Sequence, residues 1–354
     1  MENDKDIFSR VQVYKSDDTI LDGKCYKYFI RMNDNKNKYH TELMSAIEDN
    51  ILQKQDTPLP KKTIEDSVIF SELWQNKING NSSYVTYCDE LLDGRNGEYY
   101  IPNYVSCLVK SNDVMANYKE CLGSRLSNLM GIPTVFNTMQ AMVISDGEAR
   151  SLGFETDNLK LISVDFIPSG YEFESFEHLD LGINPDNSLE SNLKIASSMW
   201  YYYIGRSLGV KLDRQQVQTF EKDLCLQYLF RRGLCHEGDY RARNVGVLYS
   251  SELQKFYLAP NFDMEYLLSG SCPTLKQDMM YINSRFPGLV DSFISRLNVV
   301  RDNDLIKGTF AKLPKMSTFA FAAEIGIMEA MLNKNIDEML DIYSSISTEF
   351  NKDM

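Results

Sequence analysis

Hydrophobic and polar positions alternate in several short stretches of the chain, a pattern typical of β-strands. The stretches with this pattern cover residues 8–14, 24–32, 104–110 and 159–167. A turn at Asp22 and Gly23 joins the first two of them. The pattern therefore predicts β-structure in the first half of the chain.

Elsewhere apolar residues recur every three or four positions, which predicts helices with one buried face. The clearest stripe lies in residues 114–130, where Tyr118, Leu122, Leu126 and Leu129 share one side. The other segments with helical spacing cover residues 40–54, 63–77, 188–208, 213–232, 274–284, 287–300, 316–333 and 335–349. Most of these follow the last predicted strand, so we predict an α+β fold whose second half is mainly helical.

A composition shift divides the chain. Residues 55–62, QDTPLPKK, have the composition of a linker, and no residue type that indicates chemistry stands out before residue 80. We therefore predict an accessory subdomain over residues 1–80, a sheet-containing unit over 81–170 and a helical unit over 171–354.

Composition and charge narrow the class of protein. The chain has 354 residues and a formal net charge of -13, so a broad nucleic-acid surface is not expected. No apolar run approaches the roughly 20 residues of a membrane span, and the polar start MENDKDIFSR lacks a signal-peptide core. Seven cysteines without a C-x-x-C pair and three scattered histidines favour neither a disulfide scaffold nor a zinc site. We expect a cytoplasmic protein without a membrane partner.

The stretch with the most chemistry is LCHEGDYRARNVGVLYSSELQKFYLAPNFDME, residues 234–265. Asp239 and Asn244 form a D-x-x-x-x-N pattern, and Asp263 follows two apolar runs. In metal-bound phosphoryl transfer one carboxylate orients the attacking hydroxyl, while an amide oxygen and a second carboxylate hold Mg²⁺ on the triphosphate. On spacing alone, a turn, a hairpin and a second turn also explain these residues.

The surroundings favour the chemical interpretation. A helix over 213–232 ends before Gly233, and a loop, two strands and Asp263 follow, which is the order of elements in the catalytic half of a kinase. The segments GDYRARNVGVL and LAPNFD resemble the HipA-like serine/threonine kinases, whose loop is similar to D-R-H-x-x-N-x-G and whose metal-binding Asp stands in a P-x-x-D context. The resemblance extends more loosely over about residues 95–300.

Two charged residues upstream fit the same resemblance. Lys110 ends the predicted strand YVSCLVK, and Glu120 follows ten residues later on a helical face away from the apolar stripe. A Lys at such a position can reach the α- and β-phosphates, and a helical Glu can hold it there. The segment KECLGSRLSNLMGIP is also similar to the HipA-like pattern around this Glu. Taken singly, each residue is equally explained as a charge that stays in water.

The nucleotide-binding segments carry weaker signals. In DGRNGEYY, residues 93–100, Gly94, Asn96 and Gly97 could form the loop whose backbone approaches phosphates, although a plain hairpin turn has the same composition. The strand over 159–167 stands where the resemblance implies the hinge that meets the adenine edge, which makes Ser163 and Asp165 candidate nucleotide-binding residues.

The chain also departs from the family pattern. The histidine two residues after the catalytic Asp is replaced by Arg241, a cation that could neutralise the transferring phosphoryl group. No H-R-D motif is present, since Gly238 directly precedes Asp239 and His236 stands three residues before it. No A-P-E motif follows Asp263, so an activation segment of the usual protein-kinase type is not expected.

The resemblance implies a bilobal protein-kinase-like fold, with an N-lobe and hinge over 81–170 and a helical C-lobe over 171–354. It assigns catalytic roles to Asp239, Lys110, Glu120 and Arg241, metal binding to Asn244 and Asp263, and ATP and Mg²⁺ as cofactors. The substrate implied is a Ser/Thr protein, with autophosphorylation. An antitoxin-type partner occurs in the family, but nothing in this sequence shows one. Two alternatives stay open: a small-molecule or lipid kinase, and a pseudokinase that acts as a binding module.

Overall fold

The structure is a computed structural model of the chain. The residues that it describes are 11–14, 26–32, 105–111, 113–135, 137–141, 159–164, 172–179, 183, 187–192, 205–206, 208–211, 214–252, 254–313 and 319–350. The helices predicted over 40–54 and 63–77, and most of the one predicted over 188–208, lie outside these ranges.

Five antiparallel strands form the larger sheet. They are β1 (Val11–Tyr14), β2 (Tyr26–Met32), β3 (Val105–Ser111), β4 (Asn137–Ala141) and β5 (Leu159–Val164). Their order in the sheet is β1-β2-β3-β5-β4, so β3 lies at the centre with a neighbour on each side. The alternating stretches of the sequence thus become strands, as predicted.

The pairing of β2 with β3 crosses the sequence-based division at residue 80. The register runs without interruption from Tyr26 opposite Ser111 to Met32 opposite Val105. Residues 26–32 therefore supply backbone hydrogen bonds to the strand that carries Lys110, and the two strands belong to the same sheet. The polar composition of 55–62 marks a change along the chain, but the sheet takes strands from both sides of it.

Helix α1 (Val114–Leu129) packs against this sheet. It begins after Asp113, whose carboxylate accepts hydrogen bonds from the backbone N–H groups of Met115 and Ala116 at 2.9 and 3.1 Å, a typical N-cap. The predicted stripe is confirmed: Tyr118, Leu122 and Leu126 are buried in one core with residues of the sheet.

The second half of the chain is mainly helical, as predicted. Helix α2 (Arg214–Tyr228) continues as a π-helical turn over Leu229–Leu234. After a loop and a 3₁₀ turn (Ala242–Asn244) come β7 (Gly246–Ser250) and β8 (Lys255–Leu258), and β7 also pairs with β6 (Glu172–Ser175). A Cβ atom at Gly246 would overlap the Phe173 ring and lie 2.8 Å from the Glu174 carbonyl oxygen, so only glycine allows β6 this close.

Four further helices complete the core: α3 (Leu275–Arg285), α4 (Leu289–Asp302), α5 (Leu305–Lys312) and α6 (Phe319–Phe350). Helix α6 joins the two helices predicted over 316–333 and 335–349. The polar NKN that separated them in the sequence does not break the helix, because Asn335 is buried and donates to the Leu234 carbonyl at 2.9 Å. Within the described part of the chain, no helix is both long and apolar enough to cross a membrane.

The sheet and the helical part are joined close to the segment that carries Asp263. Backbone hydrogen bonds run from Val135 N to Asn261 O (2.9 Å) and from Asn261 N to Pro133 O (2.8 Å). The Asn261 amide also donates to the Ser127 hydroxyl at 2.8 Å. The end of α1 is thereby fixed to the residues just before Asp263.

Candidate active site

Lys110 and Glu120 form a buried ion pair between β3 and α1. The Lys110 Nζ atom lies 2.8 and 3.0 Å from the two carboxylate oxygens of Glu120, and the residues are 5% and 1% exposed. Burial acts to lower the pKa of Lys110, but the charges of Glu120 and Asp263 outweigh it and the pKa is raised. The ammonium group therefore stays charged at the end of the central strand β3.

Asp263 is the third member of this cluster. Its Oδ1 atom lies 2.6 Å from Lys110 Nζ, and its side chain is 26% exposed. The backbone at Asp263 has φ of +55°, a left-handed conformation that Asp tolerates better than most residues. This turn after β8 aims the carboxylate back towards β3.

One ammonium group thus faces two carboxylates. Burial raises the pKa of Glu120 to about 7, Lys110 opposes the rise, and the negative charges of Asp263 and Glu265 add to it. The pKa of Glu120 therefore lies close to neutral pH. A cation bound to Asp263 would leave the Lys110 ammonium group to Glu120 alone.

Asp239 and Asn244 occupy the loop between the π-helical turn and β7. The Asn244 side-chain amide donates to the Asp239 backbone oxygen at 2.8 Å and to Asp239 Oδ2 at 3.2 Å, and the 3₁₀ turn fixes this arrangement. A Cβ atom at Gly238 would lie 2.5 Å from Ser269 Oγ. A side chain at this position would therefore displace the Ser269 hydroxyl, while the backbone atoms of residues 269–270 lie at ordinary contact distances of 3.5 and 3.6 Å.

Two arginines bracket the Asp239 carboxylate. Arg241 Nε lies 2.9 Å from Oδ1, and Arg243 Nη2 lies 2.5 Å from Oδ2. Both arginine side chains are more than half exposed, at 59% and 54%, whereas that of Asp239 is 9% exposed. The carboxylate is thus held by cations that can turn towards an incoming group.

The loop and the Asp263 segment converge. The charges of Asp263 and Asp239 both raise the pKa of the buried Glu237 carboxyl, after the larger effects of burial and of Arg231, which opposes the rise. Both aspartates likewise act on Arg243. Asp239 and Asp263 thus act on the same two charged groups, and the Gly238 backbone N–H donates to the Tyr266 carbonyl oxygen at 3.1 Å, which joins the two segments.

The donor atoms in this region fit a hard cation such as Mg²⁺, which prefers oxygen ligands. The Asn244 amide nitrogen is engaged with Asp239, so its oxygen is the atom available to a cation. Oxygen atoms of Glu120, Asp263 and Glu265 lie within 4.8 Å of one another. Asp263 belongs to this group of oxygen atoms, Asn244 stays a predicted metal ligand, and Glu265 is a further acidic residue here that sequence reasoning missed.

Other sequence-based candidates are placed differently. Ser163 lies within β5, opposite Leu108 on one side and Asn137 on the other, and its hydroxyl donates to Asn137 Oδ1 at 2.5 Å. Its hydroxyl is therefore engaged within the sheet. Gly94, Asn96, Gly97 and Asp165 lie outside the described residues.

Sequence reasoning also missed a buried ion pair beneath the loop, Arg231–Glu237. The only signal that could have indicated it is the pair of consecutive arginines in the otherwise apolar LFRRGLC, residues 229–235. Two adjacent cations at the end of a buried helix require partners in the interior.

Comparisons with known proteins give structural matches only. No model of a known family matches the chain, and no curated protein matches it. The proinflammatory kinase CtkA of Helicobacter pylori is 14% identical, with 70% of this chain and 92% of that chain covered and a TM-score of 0.47. HipA of Shewanella oneidensis MR-1, solved with HipB and operator DNA, is 11% identical, with 66% and 58% covered and a TM-score of 0.42. We therefore build the functional proposal on the site itself.

Proposed function

We propose that this chain is an ATP- and Mg²⁺-dependent kinase of bilobal, protein-kinase-like architecture. The observation that carries the proposal is the meeting of Lys110, Glu120 and Asp263 around one ammonium group, at distances of 2.6 to 3.0 Å. Phosphoryl transfer needs a fixed cation for the phosphates and a carboxylate for the metal at adjacent places. Three different elements supply these groups here.

Lys110 and Glu120 act as a unit in this proposal. Glu120 accepts from Lys110 with both oxygens, which fixes the direction of the ammonium group at the end of β3. Lys110 binds the α- and β-phosphates of ATP from this position. Asn244 and Asp263 would hold Mg²⁺, and the ion would supply positive charge to offset the negative charge of the phosphates during transfer.

Asp239 is the proposed base. It accepts the proton of the acceptor hydroxyl, whose oxygen forms a bond to the γ-phosphorus as the bond from that phosphorus to the β-phosphate oxygen breaks and ADP leaves. Arg241 and Arg243 already lie against Asp239. They neutralise the transferring phosphoryl group when the hydroxyl takes their place at the carboxylate.

The acceptor and the partners follow from the resemblance stated for the loop. We propose Ser or Thr hydroxyls of a protein as acceptors, with autophosphorylation of this chain and action in the cytoplasm. An antitoxin-type protein is the partner class to search for. The net charge of -13 supports a protein rather than nucleic acid as the direct contact.

Mass spectrometry of the purified protein after incubation with ATP and Mg²⁺ tests the proposal. We expect phosphorylated Ser or Thr in the wild type and none in an Asp239→Asn variant treated identically. A parallel panel of sugars, antibiotics and inositides, beside a cell lysate, separates protein from small-molecule and lipid acceptors. Mg²⁺-dependent ATP binding without turnover on any acceptor would instead identify a pseudokinase.

A further inference from the structure

The buried ion pair beneath the loop has no part in the chemistry proposed above. Arg231 and Glu237 are both 0% exposed. Arg231 Nε donates to Oε2 of Glu237 at 2.5 Å, and Arg231 Nη2 donates to Oε1 of Glu237 at 2.6 Å. The two side chains thus form a bidentate ion pair. The Glu237 backbone N–H donates in turn to the Arg231 carbonyl at 2.9 Å. The start of the loop is therefore fixed to the end of α2.

Arg231 also reaches the middle and the end of the same loop. Its Nη1 atom donates to the Asn244 carbonyl at 2.7 Å. Its guanidinium carbon lies 5.1 Å from the centre of the buried Tyr240 ring, within the range of a cation–π contact. One side chain thus contacts residues 237, 240 and 244, and Asp239 lies between the first two.

The π-helical turn explains how two adjacent arginines reach this loop. The wider turn closes with a hydrogen bond from Cys235 N to Phe230 O at 2.8 Å, and both Arg231 and Arg232 are buried. Arg232 donates to the Glu237 carbonyl and, at 2.6 Å, to the Ser271 carbonyl in the segment after Asp263. Such π-turns occur frequently at functional sites.

Stability alone does not account for a pair of this kind. Removing two charges from water carries a large desolvation penalty, and apolar residues of similar volume are often neutral or stabilising in their place. What apolar side chains cannot supply is the set of directed contacts to the Asn244 carbonyl and the Glu237 carboxylate. The pair therefore fixes geometry.

We propose that Arg231 is a positioning residue that, with Glu237, holds Asn244 in place as a metal ligand and Asp239 in place as the base. The inference rests on the proposed function. Arg231 touches neither nucleotide nor acceptor: it acts through the main-chain oxygen of Asn244, 2.7 Å away. Loss of this contact frees the backbone that carries the amide ligand, so metal affinity should fall even where the fold survives.

The test compares three proteins with the wild type. The double variant Arg231→Met/Glu237→Leu removes the pair without leaving a buried charge. Arg231→Lys keeps the positive charge but lacks the planar guanidinium group, so it cannot donate to the Glu237 carboxylate and to the Asn244 carbonyl at the same time. The control is Arg285→Met/Glu221→Leu, which removes an ion pair between α3 and α2, with Arg285 Nη2 at 2.5 Å from Glu221 Oε2. That pair has no contact to the loop among the hydrogen bonds described.

The readouts are the midpoint of thermal unfolding, calorimetric ATP binding across a Mg²⁺ titration, and kcat. We expect the double variant to unfold within a few degrees of the wild type, yet to need roughly 10–100-fold more Mg²⁺ for half-maximal ATP binding, the range seen when outer partners of metal ligands are lost. Arg231→Lys should show the same increase, and the control should show none.

The outcomes separate the two proposals. A wild type that binds ATP with Mg²⁺, beside a folded double variant with an unchanged Mg²⁺ requirement and unchanged kcat, would overturn the positioning role alone. A wild type that binds no ATP at any Mg²⁺ concentration would overturn the proposed function and this inference with it. An equal increase in the Arg285 and Glu221 control would show that the effect comes from α2 as a whole, which also overturns it.

Discussion

Lys110 and Asp263 are 153 residues apart in the sequence, yet Lys110 Nζ lies 2.6 Å from Asp263 Oδ1. The contact joins the central strand of the large sheet to the turn after β8. The same ammonium group also contacts both oxygens of Glu120. A change at any of the three residues therefore alters the electrostatic balance of the other two.

The first prediction concerns the coupling of Lys110 and Glu120. We expect Lys110→Met and Glu120→Gln each to weaken Mg²⁺-dependent ATP binding, and the double variant to lose much less than the sum. Once one member of the ion pair is lost, the other no longer contributes through the pair, so its removal costs little more. Coupling energies of about 0.5–3 kcal/mol are typical of residues in contact. Calorimetry of ATP binding to the wild type, the two single variants and the double variant gives the double-mutant cycle.

As a control, the effect of Asp302→Asn, at the exposed end of α4, should be additive with that of Lys110→Met. Additive losses from Lys110 and Glu120 would contradict the pairing.

The second prediction uses the raised pKa of Glu120. Its pKa is about 7 in the folded protein, against an ordinary value of 4.5. Between these values the folded state binds the proton more tightly than the unfolded state, so the Glu120 contribution to stability falls as pH rises through the window and is constant above it. Glu120→Gln lacks this titration.

Urea unfolding of the wild type and of Glu120→Gln at several pH values from 4.5 to 8 measures the effect. The free energy of unfolding of the wild type minus that of the variant should decrease up to about pH 7 and then level off. A difference that stays flat over the whole range would mean that Glu120 is ionised throughout, and that Lys110 outweighs its burial.

The order of the site residues could be read from the sequence because each stands at a defined place in an element. Lys110 ends a strand, Glu120 follows on a helix and Asp263 comes after a hairpin. Their meeting follows from pairing β3 within a sheet that α1 covers, and alternation and helical stripes encode both elements. Local patterns were therefore sufficient for the strand and the helix, while the expectation that Lys110 and Glu120 meet came from their order in the kinase pattern.

Long-range polar contacts could not be read in the same way. Nothing in the local pattern shows that Asn335 donates to Leu234, and helical spacing alone predicted two helices, over 316–333 and 335–349, where the structure has one. The partner of Arg231 likewise depends on a π-helical turn, which periodicity over 3.6 residues does not encode. The pairing of β2 with β3 is a third case, because a linker composition says nothing about which sheet the preceding strands join.

The third prediction follows from that pairing. A chain that begins near Asn79 lacks β1 and β2, and with them every backbone partner of β3 on one side. We expect this truncated chain to expose β3 as a sheet edge, to aggregate and to bind ATP poorly. The truncated chain keeps every candidate site residue, so a loss of ATP binding would come from the altered sheet and not from a missing site residue. Size-exclusion chromatography with ATP titration measures both properties, and a monomeric truncation with wild-type affinity would contradict the role of β2.

The last prediction separates the two aspartates, where the proposed mechanism is most open to test. Asp263 is the proposed metal ligand, and its carboxylate also balances Lys110. Asp263→Ala should therefore weaken Mg²⁺-dependent ATP binding as well as turnover. Asp239 is proposed to act on the acceptor hydroxyl, and Asp239→Asn keeps its shape without a base. Turnover should fall by roughly 10²–10⁴, the range typical of general acid–base catalysis, with ATP affinity little changed. Calorimetry beside a phosphotransfer assay compares the two variants. Reversed effects would mean that the roles are misassigned, and unchanged phosphotransfer in both would leave the loop as a structural turn and hairpin.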